Sequence, residues 1–513
     1  MEADILKNLV KNLNRYKAHK KSKDNEIIYE TLLAHTELTN KYFFKFWQSK
    51  NSDEIFDRFC DVFWQKENID NKLKNKAKDL LKEIIMTIPI FHDIGKVNPN
   101  FQLMKLKVND FKENEAYVNT HHSFLSSMFY MDYCRKLVYD EKNEDEIVNL
   151  LAEFILYNGY IIARHHSELG SLTEFTKLIN LDDDTYFSKL KRIINNEDIY
   201  SVKIDFIKSD IEDMFRNLNK VDKDAEKVGK RSIKQGVYLS IYIRWLYSLL
   251  VASDYYATSE FMNEADFSEN TDLNDIDKWD SAYENTDLLK NIRQYQQERY
   301  PISNEELNTV TDINILRSEI FCEVEEKIKA NTDENIFYLE APTGSGKSNT
   351  AINASFKLMQ HDKRLQKIFY IYPFNTLVEQ NLETLEKVFA DNEDIKQNIA
   401  VINSITPIKV SEKDLNDNEE KDVYQKALLD RQFLNYPMIL STHVSLFNII
   451  FGNRQSDVLA FYQLANSVIV LDEIQSYKNK IWAEIICYLK ELAKMFNIRL
   501  CHNKWLILTR NSV

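Results

Sequence analysis

The segment at 339–348, which reads LEAPTGSGKS, constrains the fold more than any other part of the chain. It follows a short β-branched and aromatic run and precedes a stretch with helical spacing. The chain has only 8 glycines in 513 residues, and two of them, Gly344 and Gly346, lie in this segment. A strand, a glycine loop and a helix in this order let backbone N–H groups surround a phosphate. The segment therefore predicts an α/β unit that binds a phosphorylated ligand.

The loop supplies specific groups for a nucleotide. Lys347 offers a positive charge to the β- and γ-phosphates, and the Ser348 hydroxyl can coordinate Mg²⁺. Ala341 replaces the first glycine of the G-x-x-x-x-G-K-[ST] pattern, a departure that helicases of the second superfamily tolerate. The candidate nucleotide-binding residues are Thr343, Gly344, Ser345, Gly346, Lys347, Ser348 and Asp472.

A second acidic motif follows an apolar run at 468–471. Asp472 can hold Mg²⁺ through water, and Glu473 can orient or deprotonate an attacking water. Between the two motifs, 372–377 (YPFNTL) and 441–443 (STH) lie where a helicase core presents amides and hydroxyls to a single strand. Plain strand ends are an equally good interpretation of these two segments.

Short strand-like runs alternate with helical stretches after residue 311 and predict a parallel sheet with helices on both faces. The runs are 336–339, 368–372, 438–440, 468–471 and 505–508. We expect one RecA-like lobe at 311–513. A motor needs a second lobe, whose arginine reaches the γ-phosphate, so ATP binding is a firmer expectation than unwinding. The second lobe is expected to be absent from this chain, through truncation or because a separate chain supplies it.

The first half of the chain is helical in pattern, with apolar residues at helical spacing in 26–46, 72–89, 121–139, 146–164 and 236–256. This indicates an all-α domain at 1–258. The basic segment 1–23 is read as a solvated helix rather than a nucleic-acid contact. The stretch 237–252 is interrupted by Arg244 and is too short for a membrane span, so no membrane partner is expected.

Charge and cysteine content define the remaining expectations. Residues 260–287 contain ten acids and one base, a local charge of −9 within a total of −14. This composition predicts a solvated acidic linker at 259–310. Five scattered cysteines without a C-x-x-C pair indicate reduced thiols and a cytoplasmic protein.

Histidines in the helical domain indicate a metal centre. Six of the ten histidines fall there in four places, beside two candidate carboxylates: His35, His92, His121, His122, His165, His166, Asp93 and Asp254. Two ions roughly 3.5–4 Å apart stabilise the attacking and leaving oxygens of a phosphodiester. Imidazole-rich ligation favours Mn²⁺, Fe²⁺, Co²⁺ or Ni²⁺ over Mg²⁺. Lys96 is a candidate cation for the phosphate, with a surface lysine as the alternative.

The motifs taken together resemble one family. In order they are HDIGK at 92–96, HHS at 121–123, HHSEL at 165–169, APTGSGKS at 341–348 and DEIQ at 472–475. They resemble the CRISPR-associated helicase-nuclease of type I interference systems, an HD-superfamily nuclease fused to a superfamily 2 helicase. The resemblance implies an antiviral nuclease that degrades single-stranded DNA after an RNA-guided surveillance complex opens the target, with an ATP-dependent helicase feeding it.

The resemblance also implies residue roles. The implied ligands of two transition metal ions are His35, His92, Asp93, His122, His165, His166 and Asp254, with Asp93 as the bridge. His122 is favoured over His121 because it directly precedes the turn that starts at Ser123. The candidate catalytic residues are His92, Asp93, Lys96 and Glu473, and the lobe is expected to take ATP with Mg²⁺.

Two rival functions remain open. One is an HD phosphohydrolase that acts on nucleotides or cyclic nucleotides. The other is a catalytically idle fragment that binds the surveillance complex or DNA as a regulator. Metal content and a nuclease assay separate these from the leading hypothesis.

Overall fold

The computed structural model describes residues 2–65, 70–140, 142–172, 174–175, 189–190, 192–200, 233–263, 272–273, 275–341, 344–403, 427–473 and 482–505. The chain forms two compact units. The helical unit comprises Met1–Phe267 and Asn453–Phe461. The α/β unit comprises Ser268–Gly452 and Tyr462–Val513.

The helices and strands have the following bounds. The helices are α1 (Glu2–Leu9), α2 (Leu32–Ser49), α3 (Ser52–Phe63), α4 (Asn71–Met86), α5 (Ile88–Phe91), α6 (Pro99–Met104), α7 (Ser123–Val138), α8 (Asp145–Arg164), α9 (Ile233–Asn263), α10 (Ile276–Glu284), α11 (Asp287–Glu298), α12 (Asn304–Leu307), α13 (Ile313–Ala330), α14 (Lys347–His361), α15 (Asn375–Val388), α16 (Glu393–Gln397), α17 (His443–Phe451), α18 (Gln455–Val458) and α19 (Trp482–Phe496). The strands are β1 (Lys17–Lys23), β2 (Glu26–Thr31), β3 (Ile336–Leu339), β4 (Lys367–Tyr372), β5 (Ile399–Ile402), β6 (Met438–Thr442), β7 (Ser467–Leu471) and β8 (Arg499–Trp505).

The helical unit has an aromatic core between its long helices. Trp47 of α2 stacks on Trp245 of α9 at 5.0 Å between ring centroids. Phe59 of α3 stacks on Tyr242 at 4.6 Å. By length and composition α8 and α9 could each cross a membrane, but 67% of the apolar window of each is buried inside the fold. Their apolar residues therefore build the core that holds the site described below.

A hairpin precedes this core, where the sequence suggested helix. β1 pairs antiparallel with β2, and the connecting residues Asp24 and Asn25 both have positive φ angles. Asp and Asn adopt this left-handed conformation more readily than most residues, and two in succession match the tight turn of a hairpin. The predicted solvated helix at 1–23 and the helix at 26–46 are therefore wrong at 17–31, and α2 begins at Leu32.

A short segment from later in the chain completes the helical unit. The amide of Leu169 donates to the carbonyl of Asn453 at 2.8 Å. The Ser248 hydroxyl of α9 donates to the carbonyl of Leu459, also at 2.8 Å. The predicted lobe 311–513 therefore does not coincide with one compact unit, because these hydrogen bonds join 453–461 to the helices of the first unit.

The α/β unit contains a fully parallel six-stranded sheet in the order β3-β8-β7-β4-β6-β5. The predicted strands at 336–339, 368–372, 438–440 and 468–471 are confirmed within one or two residues. β5 was not predicted, and its four residues are all only partly buried. The last strand was predicted at 505–508, whereas β8 spans Arg499–Trp505 and residues 506–508 lie outside the described part of the chain.

The region predicted as a solvated acidic linker contains ordered helices. In α10, Trp279 and Tyr283 are buried, and in α11 Leu289 is buried. These residues join the core cluster of the α/β unit. Asp280 pairs with Lys357 of α14 at 2.8 Å. The acidic composition concealed a few well-spaced apolar side chains, which suffice to bury one face of a short helix.

One buried carboxylate ties α11, α13 and α14 together. Glu325 is 2% exposed and accepts hydrogen bonds from Arg293 at 2.7 Å, Asn353 at 2.7 Å and Lys329 at 2.6 Å. Burial alone would raise the pKa of Glu325, but these donors lower it to about 2. The carboxylate is therefore ionised and satisfied in the folded protein.

We expect Glu325→Gln to destabilise the α/β unit by about 2 kcal/mol at pH 7, because it removes one member of a buried ion pair. The folded-state pKa lies below the ordinary 4.5, so this stabilisation is present above about pH 4.5 and is lost as the pH falls toward 2. Calorimetric unfolding of the full chain at several pH values measures the difference. Glu323→Gln, on an exposed pair of the same helix, is the control and should cost less than about 0.5 kcal/mol.

Candidate metal centre and nucleotide site

Four side chains of the helical unit, those of His35, His92, Asp93 and Asp254, come together in one place. His35 Nε2 lies 3.3 Å from Asp93 Oδ2 and 3.2 Å from Asp254 Oδ1. His92 Nε2 lies 3.5 Å from Asp93 Oδ2 and 3.7 Å from Asp254 Oδ1. One ligand atom from each residue falls within 4.8 Å of the others. This spacing suits a single metal ion, and we call the set the inner site.

A second set surrounds the other oxygen of Asp93. Its distances to Asp93 Oδ1 are 3.1 Å from His122 Nε2, 3.5 Å from His165 Nε2 and 3.9 Å from His166 Nε2. In this set too, one ligand atom of each of the four residues lies within 4.8 Å of the others. We call this set the rim site, because the side chain of His166 is 42% exposed whereas Asp93 is fully buried. Asp93 is thus the residue that the two sites share.

Backbone contacts orient two of the buried imidazoles. His92 Nδ1 donates to the carbonyl of Pro89 at 2.7 Å, and His165 Nδ1 donates to the carbonyl of Ile162 at 2.6 Å. A carbonyl can only accept, so Nδ1 carries a proton and, in the neutral ring, Nε2 keeps its lone pair. Both Nε2 atoms face Asp93. This tautomer is the one that a metal ligand requires.

The local fold brings His92 and His122 together through a glycine. Gly95 lies in the short turn Ile94–Val97, and its N–H donates to Ser126 Oγ of α7 at 2.8 Å. A Cβ at Gly95 would stand 2.1 Å from the carbonyl oxygen of His122. Only glycine lets the backbone at this position come so close to His122. The turn that follows His92 and Asp93 therefore packs directly against the start of α7.

Electrostatics favour ionised carboxylates at the centre. Burial would raise the pKa of Asp93, but the neighbouring positive charge of Lys96 holds it well below its usual range. Burial likewise opposes ionisation of Asp254, yet His35 and His92 hold its pKa well below the usual value. For His122, burial lowers the pKa to about 4. The carboxylates are thus charged and the rim imidazole neutral at pH 7.

Lys96 is buried and lies beside Asp93. Its Nζ is 2.6 Å from Asp93 Oδ2 and the side chain is 3% exposed. The alternative of a surface lysine is therefore wrong. In this conformation the ammonium neutralises the shared carboxylate instead of facing an open surface.

The donor set fits a pair of transition metal ions. Both oxygens of Asp93 and the Nε2 of His165 are buried, and they make ion contacts but no hydrogen bond of acceptable geometry to any described residue. Buried polar atoms normally have hydrogen-bond partners, so their convergence indicates a place for a cation. Five imidazoles with two carboxylates are the ligands that Mn²⁺, Fe²⁺, Co²⁺ or Ni²⁺ accept.

The structure brings together all seven residues that the sequence singled out as ligands. His121 does not belong to either site, whereas its neighbour His122 does. Sequence reasoning missed His19 and Glu30, which stand next to the inner site. His19 Nδ1 donates to Glu30 Oε2 at 2.8 Å, and the same oxygen is 3.3 Å from His35 Nδ1. The turn residues Asp24 and Asn25 are the sequence signal that could have revealed the hairpin and these two residues, but the sequence predicts helix there.

The phosphate loop of the α/β unit lies between β3 and α14, as predicted. Gly344 and Gly346 have φ angles of 81° and 83°, which favour glycine. Lys347 Nζ donates to the carbonyl of Ala341 at 3.0 Å and lies 3.6 Å from Glu473 Oε1. The lysine therefore reaches the second acidic motif across the sheet edge. Thr343 lies outside the described residues.

Asp472 follows β7, whose neighbours are β8 and β4. In the sheet, β8 lies between this strand and β3. Burial and the charge of Glu473 raise the pKa of Asp472 to about 6. The carboxyl ends of all these parallel strands still meet at one edge, which is where ligands bind in open α/β sheets.

An open cleft of about 840 Å³ extends from the loop. Its lining includes Lys347 and Ser348 together with Ile292, Tyr295 and Arg317. Arg317 Nε also donates to the carbonyl of Gly344 at 2.8 Å. Sequence reasoning missed these three residues because they precede the motif and two of them were assigned to the linker.

Two segments are candidates for contact with single-stranded nucleic acid, and both lie at the same edge of the sheet. β4 and β6 are adjacent and parallel, and Phe374 and Val444 follow them with 62% and 55% exposure. The Thr442 hydroxyl accepts a hydrogen bond from the amide of Ser445 at 3.3 Å and caps α17. The exposed aromatic ring of Phe374 is compatible with stacking on a base.

The comparisons with known proteins agree with this architecture. Residues 323–508 match the family model described as DEAD/DEAH box helicase. No curated protein matches the sequence. The α/β unit is thus a helicase-type domain with a six-stranded parallel sheet, preceded by a helical region.

Two solved structures share the fold. The crystal structure of T. fusca Cas3 with AMPPNP is similar with a TM-score of 0.51 at 13% identity, covering 96% of this chain and 50% of that one. The structure of T. fusca Cas3 with ADP gives 0.50 at 11% identity with the same coverages. The chain therefore spans about half the length of the Cas3 structures it matches. The resemblance inferred from the motifs is confirmed at the level of the fold.

Proposed function

We propose that this chain, with a fold shared with Cas3 over most of its length, is a metal-dependent nuclease for single-stranded DNA with an ATP-binding helicase lobe. We further propose that it acts in the cytoplasm in CRISPR antiviral defence, on target DNA opened by an RNA-guided surveillance complex. The observation that carries the proposal is the sharing of Asp93 between the inner and rim sites.

The residues of the two sites have distinct roles in this proposal. Two divalent transition metal ions, when bound, would act as Lewis acids toward a phosphodiester. His35, His92 and Asp254 would hold the buried ion, and Asp93 would be a ligand of both ions. His122, His165 and His166 would hold the outer ion, and the exposed side chain of His166 leaves this position open to solvent. This asymmetry favours a polymeric substrate that approaches from the rim.

The α/β unit supports a role for ATP and Mg²⁺. The cleft of about 840 Å³ is suited to a nucleoside triphosphate. Lys347 and Glu473, which lie close together, are suited to its phosphates and to the attacking water. Phe374 and Val444 would contact the single strand beside it. Since the chain covers half of the related structures, unwinding is proposed only together with a second lobe, which another chain could supply.

The test is a cleavage assay on circular single-stranded DNA, which has no ends. Purified full chain, stripped with EDTA and reloaded with Mn²⁺ or Ni²⁺, should nick the circle, and EDTA should stop the reaction. A panel of nucleotides and cyclic nucleotides under the same conditions should remain intact. Hydrolysis of the panel without nicking would instead favour the HD phosphohydrolase.

A matched pair of histidine variants sharpens the assay. His122→Ala removes a rim ligand 3.1 Å from Asp93 Oδ1 and should lower the cleavage rate by about 10²-fold or more. His121→Ala changes the adjacent exposed histidine and should leave the rate within about twofold. Equal activity in the two variants would remove the rim site from the mechanism. If no metal binds and none restores cleavage, the chain is better explained as a regulatory binding module.

A further inference from the structure

A ring of charged and imidazole groups connects the hairpin to the shared carboxylate. It runs from Glu30 to His19, from His19 to Lys96 at 3.2 Å, and from Lys96 to Asp93 at 2.6 Å. His35 closes the ring, because its Nε2 lies 3.3 Å from Asp93 and its Nδ1 lies 3.3 Å from Glu30. Glu30 itself is 6% exposed. Neither Glu30 nor His19 has a role in the ligand set described above.

Lys96 determines which nitrogen of His19 carries the proton. An ammonium group can only donate, so His19 Nε2, 3.2 Å from Lys96 Nζ, must accept. The proton of the neutral ring is then on Nδ1, and this N–H donates to Glu30 at 2.8 Å. His19 Nδ1 therefore has no lone pair for a cation. The triad of His19, Glu30 and His35, although spaced like a metal site, is not one in this arrangement.

Glu30 has the complementary effect on His35. The Nε2 of His35 faces Asp93, Asp254 and the inner site, so its lone pair is needed there. The Nδ1 atom is fully buried, and its nearest polar partner among the described residues is the Glu30 carboxylate at 3.3 Å, an ion contact rather than a well-formed hydrogen bond. The other two buried ligands, His92 and His165, use backbone carbonyls for the same purpose. His35 lies in the first turn of α2, and the hairpin that precedes this helix supplies the acceptor.

We infer that Glu30 is a positioning residue of the metal centre: its carboxylate lies 3.3 Å from Nδ1 of His35 and, by attracting that N–H, keeps Nε2 directed toward the inner site, while His19 joins it to Lys96. This inference rests on the proposed function, because it assumes that His35 is a ligand. A carboxylate behind a metal-bound histidine orients the ring and increases its basicity, and its loss typically weakens metal affinity by about 10–100-fold.

The experiment measures Mn²⁺ affinity rather than activity. Full chains of the wild type, Glu30→Gln and Glu26→Gln are stripped of metal and titrated with Mn²⁺ by calorimetry or paramagnetic resonance, and the bound ions are counted at saturation. Glu26 lies on the same strand with an exposed side chain. We expect Glu30→Gln to raise the Mn²⁺ Kd about 10–100-fold without changing the number of ions, and Glu26→Gln to match the wild type.

Thermal unfolding in EDTA separates positioning from support of the fold. Positioning predicts a metal-free melting temperature close to that of the wild type with weakened Mn²⁺ binding. Unchanged affinity in Glu30→Gln overturns the inference, and so does the loss of one bound ion, which would make Glu30 a ligand. If Glu30→Gln does not fold, Glu30→Asp carries the test, because it keeps the charge and should give an intermediate Kd. A wild-type chain that binds no transition metal would instead refute the proposed function.

Discussion

Replacing Asp93 with Asn should reduce metal-dependent cleavage of single-stranded DNA by at least about 10³-fold, equivalent to about 4 kcal/mol of transition-state stabilisation. Asp93 is the one residue common to the inner and rim sites, and each of its oxygens faces a different set of histidines. An amide keeps the shape but loses the charge and one acceptor. Metal analysis should therefore find fewer ions per chain as well as slower nicking of circular DNA.

The Asp93 variant needs two controls. The substitution leaves the buried Lys96 without its carboxylate partner, so the melting temperature of the helical unit must be measured in EDTA. ATP binding should be unchanged, because the nucleotide residues belong to the other compact unit. Cleavage at the wild-type rate by a folded Asp93→Asn protein would overturn the assignment of the metal centre.

Replacing Lys347 with Ala should weaken ATP binding by about 10–150-fold, the range expected when a charged hydrogen bond of about 1.5–3 kcal/mol is lost. Lys347 begins α14 directly after Gly346, and its ammonium lies within the cleft beside Ser348. A fluorescent ATP analogue titrated into the full chain with Mg²⁺ measures the change. Nicking of circular DNA with Mn²⁺ in the absence of ATP should stay at the wild-type rate.

The matched control for this variant is Lys327→Ala. Lys327 is exposed, pairs with Glu323 on the surface of α13 and does not line the cleft. Its substitution should leave the ATP Kd within about twofold of the wild type. Equal ATP affinity in the Lys347 and Lys327 variants would remove the loop from the nucleotide site. If Asp93→Asn loses cleavage but keeps ATP binding, and Lys347→Ala loses ATP binding but keeps cleavage, the two activities reside at separate sites of one chain.

Periodicity predicted the parallel sheet better than it predicted the hairpin. Apolar β-branched runs such as 468–471 have few alternatives when a turn and a helix follow them. The hairpin at 17–31 is rich in lysine, and its strands are mostly exposed or half-buried. Such strands lack a strong apolar alternation, so turn residues Asp24 and Asn25 were their clearest signal. In the acidic segment, the high charge likewise led to the prediction of a solvated linker, although Trp279 and Tyr283 are buried there.

The candidate site was likewise predictable from the sequence only in part. Residue type and motif order sufficed to select the seven candidate ligands that converge in the structure, since few other chemistries use this many imidazoles with aspartates. They also favoured His122 over His121, which agrees with the geometry. The roles of Lys96, His19 and Glu30 depended on contacts across the helical unit, which no spacing in the sequence encodes.

The sequence by itself determined the kinds of chemistry available: imidazoles and carboxylates for cations, and a glycine loop with a lysine for phosphate. Those properties belong to individual side chains and to short segments, so they can be read locally. Only the tertiary structure decided that Asp93 offers one oxygen to each site, that β8 separates β3 from β7, and that the hairpin places Glu30 behind His35. These relations arise because helices and strands distant in the chain pack together to bury their apolar faces, and distances between such elements are set by packing rather than by sequence separation.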